Sequence, residues 1–146
     1  MLFRSPEIDG VGFDGKRLKL SDYRGKVVVL VFWGTWCGPC MREVPHEREL
    51  AERLKDKPFA VLGVNCDDDK QAAASAIKSE RITWPNWHDG APDEGPITKS
   101  YHIRSYPSVF LIDGNGIIRQ KHIVGEALDK AVDDLLAEMK PSGAGR

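Results

Sequence analysis

The chain has 146 residues, enough for one domain whose core holds without disulfide staples. Its net charge is −1, with Lys and Arg spread along the sequence, so neither nucleic acid nor an anionic membrane surface is an expected partner. No apolar run approaches the length of a bilayer span, and Pro6 and Glu7 end the first residues before a signal-like stretch develops, so no membrane contact is expected from this segment.

In chain order, Val11 and Phe13 are separated from Leu18 and Leu20 by Asp14-Gly15, a hairpin turn signal. Ser21 to Gly25 reads as a turn into the first core strand, Val27 to Trp33. That strand is apolar on both faces, as in the centre of a covered sheet. A helix is predicted from Gly38 to Leu54, with Cys40, Val44, Ala51 and Leu54 on its inner stripe and a kink at Pro45. Phe59 to Val64 reads as a second buried parallel strand. Asp67-Asp68-Asp69 then opens a helix over Lys70 to Ser79, acidic at the end where the helix dipole favours anions.

Ile82 to Trp87 reads as a short extended segment, Asp89 to Pro96 as a loop, and Ile97 to Tyr101 as a short helix. Ser108 to Ile112 and Ile117 to Ile123 form an antiparallel hairpin through Asp113-Gly114-Asn115-Gly116. The last helix, Glu126 to Met139, carries an apolar face of Leu128, Ala131, Val132, Leu135, Leu136 and Met139. The expected organisation is one domain over 1–140 and a flexible tail over 141–146. The fold class is α/β: a mixed sheet covered by helices on both faces, with an N-terminal β-hairpin and a central insertion.

The chemistry lies in Trp36-Cys37-Gly38-Pro39-Cys40. A strand that delivers a C-x-x-C pair to the start of a helix is a thiol–disulfide device. The first amides of a helix are unpaired and positively polarised, so they favour a thiolate there, and the thiolate is the attacking species in disulfide exchange. Cys40 follows one helical turn later, within reach of the sulfur it must bond. Zinc would need two further ligands, and no second C-x-x-C or H-x-x-x-H is present. Met41 follows Cys40, so the haem-attachment pattern C-x-x-C-H is absent. Neither a cofactor nor a metal is expected.

The chain resembles the thioredoxin superfamily over nearly its whole length. Phe32 to Cys40 matches the active-site segment and Tyr106-Pro107-Ser108 the cis-proline loop. The Asp14-Gly15-Lys16 hairpin, Leu20 to Lys26, Glu43-Val44-Pro45, the insertion from Asp67 to Tyr101 and Phe110 to Gly116 are similar to the TlpA-like, redoxin branch. The resemblance implies a thiol–disulfide oxidoreductase acting on protein disulfides, recharged by an upstream reductant and working as a monomer. It also implies an exposed nucleophile at Cys37 and a more buried resolving cysteine at Cys40. A reducing character follows from Gly38-Pro39, and a cis bond at Pro107 would shape a substrate groove bordered by Tyr106. Members of the branch are often exported or membrane-tethered. The compartment stays open: cytoplasmic for the chain as written, exported or tethered for a piece of a longer protein.

One departure concerns proton handling. Thioredoxin has a buried aspartate six residues ahead of the first cysteine, and here that position is Val31. Related reductases use an acidic residue after the second core strand, and Asp68 is the expected equivalent, with Asp67 and Asp69 competing. Trp36 either presents an aromatic face to substrates or caps the helix. Trp33, Trp84 and Trp87 are expected to pack, Cys66 to be a small core residue, and the four histidines to be surface or packing residues. Two other functions fit these residues less well. A peroxiredoxin-like peroxide reductase requires a threonine three residues before its cysteine, where Gly34 precedes Cys37. A non-catalytic binding module would not need the intact dithiol.

Overall fold

Val27–Trp33 forms the strand on which the rest of the molecule is built, and all seven of its residues are buried. The structure, a computed structural model, describes residues 3–144. In chain order the elements are β1 (Phe3–Arg4), β2 (Asp9–Val11), β3 (Arg17–Lys19), β4 (Val27–Trp33), α1 (Gly38–Arg53), β5 (Phe59–Asn65), α2 (Lys70–Ser79), β6 (Asn86–His88), α3 (Pro96–Ser100), β7 (Ser108–Ile112), β8 (Ile117–Lys121) and α4 (Gly125–Ala144). Six strands form one sheet in the order β1-β8-β7-β4-β5-β6, and β2 pairs with β3 as a separate ribbon. β4 runs parallel to β5 and antiparallel to β7, and β6 continues the parallel half.

Alternation along β4 divides the core in two. Val27, Val29, Val31 and Trp33 point to the side covered by α1 and α4, where they meet Val44, Leu50, Leu54, Leu128, Val132 and Leu135. Val28, Leu30 and Phe32 point the other way, to Leu18, Leu20, Tyr101, Ile103 and Phe110 around the ribbon and α3. Each such fully buried aliphatic or aromatic side chain stabilises the fold by about 1.5–3 kcal/mol. Val31 belongs to the first of these cores, so the position that holds a carboxylate in thioredoxin is here filled by apolar packing.

Several boundaries differ from the expected ones for local reasons. The β2–β3 turn is made at Asp14-Gly15, with Gly15 at φ 82°, but Phe13 leaves the ribbon to pack edge-on against His88. β8 ends at Lys121 rather than Ile123, because His122 turns into the left-handed region at φ 57°. The extended segment near Trp87 is confined to Asn86–His88, since Pro85 has no N–H to offer the sheet. β1 was not anticipated at all. α4 continues to Ala144, past the Met139 at which its apolar stripe ends, so the expected tail over 141–146 is helical through Ala144. Its last two residues, 145–146, lie outside the described residues.

Candidate active site

β4 ends at Trp33, and four residues later α1 begins with Cys37 as its N-cap. The Cys37 side chain accepts a hydrogen bond from the Cys40 backbone N–H at 3.1 Å, so one of the unpaired amides of the first turn is aimed at the sulfur. Pro39 sits in the first turn, where its missing N–H costs nothing. Cys37 and Cys40 are joined as a disulfide, with Cα atoms 5.2 Å apart. Cys37 is 5% exposed and Cys40 2%. The expected contrast between an exposed and a buried cysteine is therefore absent in the oxidised form. The Cys37 sulfur is drawn inward by the helix amide and by the bond to Cys40, while Gly38 and Pro39 remain exposed.

The loop ahead of Cys37 is pinned to the end of β5. Cys66 N–H donates to the Trp33 carbonyl at 2.7 Å, and the Trp36 indole N–H donates to the Cys66 carbonyl at 3.1 Å. Asp67, only 4% exposed, accepts from the Thr35 hydroxyl at 2.6 Å, from the Thr35 N–H and from the Asn65 side-chain amide at 2.7 Å. Trp33 is fixed in turn by its indole N–H to Asn86 Oδ1 at 2.7 Å. Gly34 is required by this folding-back: a Cβ there would collide with the Trp36 indole.

Opposite the motif, the Tyr106–Pro107 peptide bond is cis. The Tyr106 ring meets the Trp36 ring edge to face, with centroids 5.0 Å apart. Trp36 is nonetheless 49% exposed, leaving much of its indole open beside Cys37. The structure thus brings Trp36, Cys37, Gly38, Pro39, Cys40, Tyr106 and Pro107 to the carboxyl end of β4 and the start of β7.

Asp68 is not part of this network. Its side chain is exposed, while Asp69 caps α2 through the amides of Gln71 and Ala72. Of the three consecutive aspartates, Asp67 is the one turned onto the motif loop. Just past β5, Asp67 stays bonded to Asn65 two residues back, and Asp68 turns to solvent.

A family model described as Redoxin matches residues 4–137. The chain belongs to the Redoxin family. Among its relatives, the thiol-disulfide oxidoreductase ResA of Bacillus thuringiensis is 32% identical over 137 residues, spanning 94% of this chain and 77% of that protein. The ResA of Geobacillus kaustophilus is 34% identical, spanning 94% and 76%. Among solved structures, the thioredoxin domain of a thiol-disulfide oxidoreductase from Bacteroides vulgatus superimposes with a TM-score of 0.84 at 28% identity, covering 92% of this chain and 96% of that one. This redoxin is accordingly a thiol–disulfide oxidoreductase with a thioredoxin-like fold, built on the Cys37–Cys40 pair.

One residue of this redoxin's site region, Glu47, is missed by the sequence reading, whereas Cys66 is the small core residue expected of it. Glu47 occupies the inner stripe of α1 two turns beyond Cys40 and is 5% exposed. Burial, aided by the Glu43 carboxylate one turn earlier, pushes its carboxyl up to about 8. The spacing Cys40, Val44, Glu47, Ala51 and Leu54 marks that inner position, but a charged residue type is not expected on an apolar stripe. Cys66 is fully buried, its thiol pushed up to about 12 chiefly by burial. Among the described residues, no cluster of three or more His, Cys, Asp or Glu is set to hold a metal ion, and no helix is long and apolar enough to cross a membrane.

Proposed function

We propose that the chain reduces disulfides of protein partners, with Cys37 as nucleophile and Cys40 as resolving cysteine. The observation that supports this best is the Cys40 N–H aimed at the Cys37 sulfur from the first turn of α1. The same contact stabilises a Cys37 thiolate in the reduced protein, and thiols so placed commonly fall to about 3.5–7.5. Among the described residues no equivalent hydrogen bond reaches the Cys40 sulfur, which lies in the same apolar core.

The Cys37 thiolate attacks one sulfur of the partner disulfide. A Cys37–partner disulfide forms and the other partner sulfur leaves as a thiolate that takes up a proton. Cys40 then loses its proton and attacks Cys37 Sγ, forming the Cys37–Cys40 disulfide and expelling the second partner thiolate, which is also protonated. Two electrons and two protons have passed to the partner. An upstream dithiol reductant must return them before the next cycle. For the proton on Cys40, Asp68 is the acceptor that the family resemblance indicates. Being solvent-exposed, it would act through water.

The test is a pair of substitutions assayed on oxidised insulin. Cys37→Ser abolishes reduction, whereas Cys40→Ser still attacks and accumulates mixed disulfides. Equal labelling of both single variants by a thiol reagent at neutral pH, with no trapped complexes, would contradict the roles. A dithiol potential near the thioredoxin value of about −270 mV supports a reductase, and one near the DsbA value of about −120 mV would make the protein an oxidant. Asp68→Asn slows resolution of the mixed disulfide around neutral pH and recovers at high pH; unchanged kinetics would hand the role to solvent hydroxide or a neighbouring aspartate.

A further inference from the structure

Tyr106, the residue before cis Pro107, is held from three directions. Its hydroxyl donates to Asp93 Oδ1 at 3.1 Å and accepts from the Asp93 backbone N–H at 3.3 Å. Its ring abuts the Trp36 indole, which is itself tied to the Cys66 carbonyl. The buried Cys66 thiol lies beside the same hydroxyl. Tyr106 thus joins the cis-proline loop, the motif and the insertion between β6 and α3.

Asp93 is an exposed residue of that insertion and stands at φ 65°. Glycine takes this left-handed conformation without strain, and aspartate is among the few side chains that tolerate it. What aspartate adds at this position is its carboxylate, and the carboxylate goes to Tyr106 rather than to its own loop. The contact is reciprocal, since the backbone and the side chain of one residue grip one phenol.

We propose that Asp93 is a positioning residue for partner recognition: it locks the Tyr106 ring against Trp36, so that the two rings form a fixed aromatic rim beside Cys37. This deepens the protein-disulfide reading given above and rests on it. The partner it fits is an extended polypeptide segment with an apolar or aromatic side chain next to its disulfide-bonded cysteine. Such a side chain is laid across the exposed indole face and the tyrosine ring. A rim that is already ordered spares the complex the loss of side-chain freedom on binding, which lowers KM without touching the sulfur chemistry. A small disulfide, having no flanking residue, draws no benefit from the rim.

The experiment compares a disulfide-linked peptide carrying Phe beside its cysteine with hydroxyethyl disulfide. Asp93→Gly keeps the backbone conformation and deletes the carboxylate. Asp93→Asn keeps an acceptor oxygen for the phenol. For Asp93→Gly, KM for the peptide is expected to rise about five- to tenfold, the worth of one ordinary hydrogen bond, with kcat held within about twofold. Turnover of hydroxyethyl disulfide by Asp93→Gly stays at the wild-type level, which also reports that the variant is folded. Asp93→Asn restores most of the peptide KM. Tyr106→Phe raises the peptide KM to a similar degree, and combining it with Asp93→Gly adds nothing further. An unchanged peptide KM in Asp93→Gly overturns the inference, as does an equal loss on both substrates, which would place the effect on the dithiol. If the wild-type protein reduced hydroxyethyl disulfide but no peptide disulfide, the functional reading itself would fall, an outcome visible before any variant is made.

Discussion

Asp67 receives Thr35 twice, from its hydroxyl at 2.6 Å and from its backbone N–H at 3.1 Å. With the Asn65 amide as a third donor, this buried carboxylate ties the loop that precedes Cys37 to the end of β5. Asp67→Ala would leave the buried Asn65 amide and the part-buried Thr35 N–H without their acceptor. Hydrogen bonds to charged groups contribute about 1.5–3 kcal/mol each, and a buried donor left unpaired costs a similar amount. The expected loss of unfolding free energy is about 2–4 kcal/mol, with Asp67→Asn intermediate because one acceptor oxygen remains. Urea unfolding of the oxidised proteins measures it, and an alanine variant as stable as the wild type would show that the loop is held by other contacts.

Glu47 makes stability depend on pH in the direction opposite to that of a paired carboxylate. Its folded value of about 8 lies above the ordinary 4.5, so below pH 4.5 it is neutral in both states and no penalty exists. As pH rises past 4.5 the unfolded chain ionises while the folded one stays protonated. The unfolded state then binds fewer protons and stability falls, by up to about 1.4 kcal/mol per pH unit until about pH 8. Glu47→Gln removes this term. Relative to wild type it gains stability between pH 5 and pH 8, by roughly 4 kcal/mol at most. Parallel stability curves for the two proteins across that window would show that the carboxyl is not held protonated by the fold.

Cys66 should be chemically silent in the folded protein. With its thiol pushed up to about 12 and no exposed surface, its thiolate is scarce at pH 8 and out of a reagent's reach. Iodoacetamide added to the reduced protein is expected to modify Cys37 first and to leave Cys66 untouched until denaturant is present. Mass spectrometry of the peptides reads the order, and early labelling of Cys66 would mean that the Tyr106 side of the site opens readily.

Much of this architecture is legible in the sequence where a signal is long or has its own chemistry. The unbroken run Val27 to Trp33 could only be a strand covered on both faces, and the aspartates ending in the Asp69 cap mark the start of α2. The C-x-x-C at a helix start carries its meaning in its spacing. What stayed hidden depends on geometry that no pattern encodes. β1 has two residues and is defined only by its partner Ile117 and Ile118 in β8. Asp67 and Asp68 are chemically identical neighbours, and only the phase in which the chain leaves β5 turns one inward. Glu47 contradicts the rule that charge faces water, so its residue type concealed it even though its spacing did not. Asp93 belongs to a loop rich in glycine and proline, where sequence predicts irregularity but not which side chain reaches across to Tyr106.

The outer strands of the sheet carry a further consequence. β1 is two residues long and β6 three, and an isolated bridge from Gly12 to Trp87 lies over the latter. Long open edges invite strand addition by any extended chain. A thiol–disulfide oxidoreductase that exchanges disulfides with protein partners at its dithiol would be exposed to that capture wherever a partner presents an extended segment. Blunt edges leave such a visitor little to zip onto, so it can dock, exchange its electrons and depart without being incorporated into the sheet.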